Sequence, residues 1–159
     1  MTGVPAGAVL VRRATAGDVP QLVELRWISS AEDDEAHEVR ESRDEFEARM
    51  RAFLDRAIDD PRWTIWVAAD GDRIVSTMYA QVVPKIPRPW PNDPWVYVTG
   101  VFTIAERRNE GIGARVLMTV REWASSRGLE LLMLWPSERS IPFYERAGFH
   151  QADALELDL

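Results

Sequence analysis

Apolar residues follow two rhythms along this chain, and the switch between them lays out the elements. Residues 8–13 (AVLVRR) read as a first strand. Thr15 and Asp18 then stand in a capping-box relation, the carboxylate reaching back to the cap. Val19, Leu22, Val23 and Trp27 follow at helical spacing. A second box at Ser42 and Glu45 opens another helix with an apolar face of Phe46, Met50, Phe53, Leu54 and Ala57, and Pro61 marks its end. An acidic loop, Glu32-Asp33-Asp34-Glu35, lies between the two.

From Trp63 the rhythm is that of strands. WTIWVAA (63–69), a turn at Asp70-Gly71-Asp72 and RIVSTMYAQVV (73–83) predict a β-hairpin. Prolines at 84, 87, 89, 91 and 94 forbid regular pairing and predict a loop of fixed, partly extended shape. WVYVTGVFTI (95–104) is the next strand. Ile112, Val116, Leu117, Val120, Trp123 and Ala124 share one helical face, and Gly128 supplies a stop. The apolar run LELLMLW (129–135) suits a buried strand. A short helix around Pro142 to Ala147 and a last strand over 154–159 (ALELDL) complete the order β-α-α-β-β-β-α-β-α-β. That order is a mixed α/β sandwich, expected to form one domain over residues 1–159.

With 159 residues, 46% of them hydrophobic and 28% charged, the chain can enclose one ordinary core. It has no apolar run of about 18 residues to span a membrane. Met1 to Leu10 lacks a basic start followed by an apolar stretch, so the reading is cytoplasmic, without a secretory signal. The absence of cysteine rules out disulfides, a thiol nucleophile and a Cys-based zinc site, and His37 and His150 lack metal-ligand spacing, so no metal is expected. The net charge of −7 argues against nucleic acid as a partner. It suits an amine-bearing partner, although solubility alone accounts for it. Of the seven tryptophans, Trp63, Trp66 and Trp123 fit a core, whereas Trp27, Trp90 and Trp95 sit near element ends, where an aromatic can line a pocket.

Candidate chemistry concentrates in Arg108-Asn109-Glu110-Gly111-Ile112-Gly113-Ala114, between a strand and an amphipathic helix. Glycines let backbone approach a ligand, and a helix N-terminus offers unpaired N–H groups that suit a pyrophosphate. Arg107 and Arg108 add positive charge at that mouth. A Walker loop would need Lys-Ser/Thr after the glycines, where Ala114 and Arg115 stand. A Rossmann fingerprint would need glycine at Val116 and a parallel pair before it. Taken alone, a glycine pair before a helix is equally well explained by turn geometry.

Arg108-x-x-Gly111-x-Gly113 resembles the acyl-CoA signature R/Q-x-x-G-x-G/A of the GCN5-related N-acetyltransferase (GNAT) family. Ser140-Ile141-Pro142-Phe143-Tyr144-Glu145-Arg146-Ala147-Gly148-Phe149 resembles that family's second segment, N-x-x-x-F-Y-x-x-x-G-F. One helix and one strand fit between the two segments, and the element order agrees over nearly the whole chain. The resemblance implies a GNAT-type fold: a mixed, mostly antiparallel sheet, helices on both faces, and a V-shaped splay between the strands at 95–104 and 129–135.

It also implies acetyl-CoA as donor, its pantetheine arm along Val101, Phe102 and Thr103 and its pyrophosphate on the N–H groups of Arg108 through Ala114, with Ser140 near the arm. Ser140 stands where the family usually has asparagine, and it serves equally as a helix N-cap. Tyr144 would protonate the departing thiolate, its other reading being a core aromatic beside Phe143. Thr99 occupies a position where many members carry a glutamate base. Candidates for the base or for acceptor recognition are Glu32, Asp33, Asp34, Glu35, His37 and Glu138, although an acidic run is usually a solvated turn. Trp27, the 27–38 region, the proline-rich 84–95 loop and Trp135 would wall an acceptor site with an acidic rim. The implied activity is N-acetylation of a small amine or a peptide by direct attack, the alternative being a catalytically silent acyl-CoA-binding module. Acyl-chain length, acceptor and oligomeric state, a homodimer included, stay open.

Overall fold

The computed structural model describes residues 8–32 and 40–159. The chain runs β1 (Leu10–Arg13), α1 (Val19–Glu32), α2 (Arg43–Ala57), β2 (Trp63–Asp70), β3 (Arg73–Val83), β4 (Trp95–Thr103), α3 (Ile112–Ser126), β5 (Leu132–Met133) and α4 (Ile141–Arg146). Both capping boxes form. The Asp18 carboxylate, 6% exposed, accepts from the Thr15 N–H at 2.8 Å and from Arg12 at 2.7 Å. The Arg12 hydrogen bond holds it below the usual carboxylate range against the opposing effect of burial. Ser42 N–H donates to Glu45 Oε2 at 2.8 Å, and Glu45 N–H returns a bond to Ser42 Oγ at 3.3 Å.

The five strands form one sheet in the order β1-β2-β3-β4-β5, antiparallel except for the parallel pair β4/β5. Residues opposite each other share a face, so the register shows what covers each side. Trp66 lies opposite Met78, and its ring meets Trp123 of α3 at 6.2 Å. Ile65 lies opposite Tyr79 and Trp63 opposite Gln81. The Trp63 ring meets Phe53 of α2 edge-on at 5.2 Å. Helix α3 therefore covers one face and the α1/α2 pair the other. Consistent with double cover, every residue of β3 from Ile74 to Ala80 is buried.

One irregularity matters for the site. Tyr79 pairs with Thr99 and Thr77 with Phe102, so Gly100 and Val101 together oppose Met78 as a bulge in β4. Gly100 has φ 57°, and a Cβ there would lie 2.5 Å from Cδ2 of Tyr79. Both the backbone and the space demand glycine.

Two expectations are corrected. The apolar run 129–135 yields only the two-residue strand β5, with Leu131 43% exposed. Among the described residues its one neighbour, β4, diverges after Met133, and no strand lies on its far edge. Residues 154–159 form no strand, and Leu155, Leu157 and Leu159 are exposed. Their alternating pattern finds no edge to join because β5 offers two paired residues rather than a ladder.

Gly100→Ala combines a left-handed backbone with a clash, so a loss of about 2–4 kcal/mol is expected. Denaturant unfolding measures it, and a loss below about 1 kcal/mol would show that β4 is not bulged in this way.

Candidate functional site

Strand β4 carries the site because its two edges have different fates. One edge is laddered to β3 as far as Thr103. The other meets β5 only at Val96 and Tyr97. Beyond Tyr97 the strands part, and the outer edge of Val98–Thr103 has no ladder partner among the described residues. This is the expected splay.

The chain then turns into the glycine loop. Ile104 N–H donates to Val75 O at 3.0 Å, ending the strand against β3. A 3₁₀ turn over Ala105–Arg107 follows, and Asn109 (φ 64°) and Gly111 (φ 75°) adopt left-handed backbone. Gly111 caps α3, whose first helical bond runs from Arg115 N–H to Gly111 O at 3.1 Å. The N–H groups of Ile112, Gly113 and Ala114 have no backbone acceptor among the described residues. They form a cluster of donors at the positive end of a 15-residue helix, which suits an anion.

The arginines of this loop are already engaged. Arg107 pairs with Asp70 at 2.6 Å and with Glu110 at 2.8 Å. Arg108 pairs with Glu32, donates to Thr103 O at 2.9 Å and lies over the Phe102 ring at 5.5 Å. Their charge at the mouth is therefore compensated. Glu32, one of the expected candidates for the base, is engaged in that ion pair.

Helix α4 closes the third side. A Cβ at Gly113 would lie 3.5 Å from Thr103 Oγ1 and 3.6 Å from Phe143 Cζ, so the end of β4, the start of α3 and α4 converge at that glycine. Tyr144 is 7% exposed, packed edge-on between Phe143 at 5.0 Å and Phe149 at 5.5 Å. Tyr144 is thus a packed aromatic beside Phe143, as one of its two readings has it. Burial pushes its phenol up to about 12. Ser140 occupies the N-cap position without making the cap bond, because its hydroxyl donates back to Ser137 O at 2.9 Å.

On the near side of the bulge lies a cavity of about 120 Å³, lined by Arg26, Met50, Phe53, Trp63, Tyr79, Thr99 and Gly100. Thr99 is the one expected acceptor-side residue found there. Trp27 instead packs on Phe46 at 5.3 Å under the Arg43 guanidinium. Trp135 is 63% exposed, edge-on to Tyr97 at 5.4 Å, and bonds to Glu156. Glu138 is exposed in a 3₁₀ turn, and the proline-rich loop contributes nothing to the cavity wall. Asp33, Asp34, Glu35 and His37 lie outside the described residues.

Arg26 and Tyr79 escaped the sequence reading. A signal for Arg26 existed, since it lies four residues after Leu22, on the core-facing stripe of α1. Tyr79 is 5% exposed, and its hydroxyl has no hydrogen-bond partner among the described residues. In the sequence it reads as one more apolar strand residue.

The Acetyltransferase (GNAT) family model matches residues 21–149. No curated protein sequence matches the chain. A predicted acetyltransferase from Clostridium acetobutylicum, solved with acetyl-CoA, superposes with a TM-score of 0.80 at 22% identity over 95% of this chain and 96% of that one. An acetyltransferase from Trypanosoma brucei gives 0.70 at 25% identity over 96% and 100%. Glucosamine-6-phosphate N-acetyltransferase from Arabidopsis thaliana gives 0.70 at 16% identity over 96% and 98%. The metal-free expectation drew on composition, and no group of metal-ligating side chains occurs among the described residues.

Gly113→Ala places a methyl at ordinary contact distance in the first turn of α3. Its melting temperature is expected to hold or to rise by about 1–4 °C. Scanning calorimetry checks this, and a fall would mean that the loop and α4 are packed more closely than described.

Proposed function

The chain belongs to the acetyltransferase (GNAT) family, and on that premise we propose that it moves an acetyl group from acetyl-CoA to the amine of a small molecule or peptide by direct attack. The observation that carries this reading is the cluster of unpaired N–H donors at Ile112–Ala114 beside the unladdered edge of Val98–Thr103. A diphosphate and an amide-bearing arm need these two surfaces, in this order along one chain. The acetyl-CoA carried by the Clostridium acetobutylicum neighbour supports the same donor.

Acetyl-CoA supplies a thioester, an acyl group already activated towards nitrogen. The chain's own residues hold and steer it. The N–H groups of Ile112, Gly113 and Ala114 would receive the pyrophosphate, the Arg108 N–H being spent on Ala105 O. The unladdered edge of Val101–Thr103, where Thr103 O already accepts from Arg108, would take the pantetheine amides as an added strand is taken. Tyr144 gives its proton to the sulfur as the carbon–sulfur bond breaks. Burial raises the phenol to about 12, so it keeps its proton across the neutral range. The same desolvation disfavours a thiolate, which keeps donor and acceptor of that proton in balance.

The missing glutamate has a physical substitute. Among the described residues no carboxylate lines the cavity at Thr99; Arg26 and an apolar wall do. Desolvation lowers the pKa of an ammonium group, so an amine sheds its proton on entry. A dedicated base is then unnecessary, and solvent takes the proton.

Calorimetry is expected to show acetyl-CoA binding that a Gly111→Glu, Gly113→Glu variant abolishes, and no binding by the unaltered protein would end this reading. Tyr144→Phe is expected to lower kcat about 100-fold or more with little change in acetyl-CoA affinity. The unaltered enzyme should show no alkaline loss of rate from Tyr144 until the pH nears about 12.

A further inference from the structure

Resting on the acetyl-transfer reading, we propose that the acceptor is an amine bearing a carboxylate, which the Arg26 guanidinium and the Tyr79 hydroxyl hold in the cavity beside Thr99 and Gly100. Four observations lead there. Arg26 sits on the core-facing stripe of α1 and lines the cavity. Arg26 meets no carboxylate among the described residues, and unlike other arginines without one, such as the exposed Arg51 and Arg56, it is partly buried at the cavity wall. A cation turned inwards without a partner calls for an anion.

The Tyr79 hydroxyl is the second observation. It is buried at the cavity wall with no acceptor, which destabilises the empty protein. Burial pushes the phenol well above its ordinary value, so at neutral pH it is a donor in search of an acceptor. The Arg26 charge opposes part of that rise. Tyr79 thus lines the same small space as Arg26, with its hydroxyl enclosed and without an acceptor among the described residues.

Third, Met50, Phe53 and Trp63 supply the rest of the wall, and a dry wall strengthens a charge-assisted hydrogen bond. Fourth, the size and charge fit a carboxylate better than a phosphate. About 120 Å³ and a single cation match one planar monoanion, which guanidinium grips with two parallel bonds. Thr99 and Gly100 border the cavity immediately before the unladdered residues Val101–Thr103, so an anchored acid presents its amine towards the thioester. The amine lone pair forms the C–N bond as the C–S bond breaks; sulfur takes the Tyr144 proton, and the proton shed by nitrogen passes to solvent and restores the phenol. The acidic rim expected from the sequence points to a cationic acceptor, and the cavity wall is of the opposite sign.

The test follows release of free CoA thiol from acetyl-CoA with matched primary amines: α-amino acids, their carboxamides and aminoalkylphosphonates. Acids are expected to exceed their amides by about 10- to 100-fold in kcat/KM. Arg26→Gln should bring the acid down to the rate of its amide, mostly through KM, and Arg26→Lys should recover part of the preference. Tyr79→Phe should lower kcat/KM for acids about tenfold. Acetyl-CoA binding by calorimetry confirms that each variant is folded. Equal turnover of amides, a preference for phosphonates, or a preference that survives Arg26→Gln overturns the carboxylate assignment and leaves acetyl transfer standing. Thiol release from no amine by a protein that binds acetyl-CoA also overturns it, and failure to bind acetyl-CoA overturns both.

Discussion

A glycine pressed against a tyrosine ring decides how β4 is used. In a regular antiparallel ladder, Gly100 and Val101 could not both face Met78. The left-handed backbone at Gly100 allows it, and the ring of Tyr79 fills the space where a side chain would otherwise stand. A bulge bends its strand and increases the local twist. At Val96 and Tyr97, β4 is an inner strand with a neighbour on each side; from Val98 through the bulge to Thr103, one edge stands open among the described residues. The cavity lies on one side of this bend and the donor loop on the other, so a single irregularity separates two binding surfaces while keeping them adjacent.

Rigid elements hold those surfaces in place. Gln21 of α1 clamps the β2–β3 turn twice, donating to Asp72 O and accepting from Ile74 N–H, both at 2.8 Å. The Arg12–Asp18 pair fixes the entry to the same helix. Arg26, about one and a half turns on from Gln21, therefore has a set position relative to Tyr79. On the other face, Arg115 of α3 donates to Val9 O at 2.8 Å, tying the helix whose first turn carries the free N–H groups to the start of β1. Placement of donors thus derives from the core, where Leu22, Val67, Val75, Val116 and Val120 are wholly enclosed.

Local order was legible in the sequence; long-range partnership was not. The capping boxes at Thr15 and Ser42, the hairpin around Gly71 and the helix after Gly111 each depend on residues within a few positions of one another, and periodicity exposes them. The run 129–135 misled because its hydrophobicity says nothing about how many neighbours await it. Leu131 and Trp135 are exposed for want of a strand on the far edge. The donor loop was readable because its chemistry is written in contiguous backbone. The cavity was not, because it draws on three strands and two helices, and Arg26 and Tyr79 look ordinary in isolation. Arg107 and Arg108 show the same limit. Glu110 is near in sequence, but Asp70 and Glu32 join them only through the fold.

Those last pairings say something about how an anion would be received at the start of α3. With Arg107 between two carboxylates and Arg108 on a third, the mouth projects little net field into solvent. An arriving polyphosphate is not drawn from afar by long-range attraction, which salt would screen over a Debye length of about 8 Å at physiological ionic strength. It is gripped at close range by fixed amide dipoles that neither titrate nor exchange counterions. The grip is therefore one of shape, steady as the surrounding medium changes.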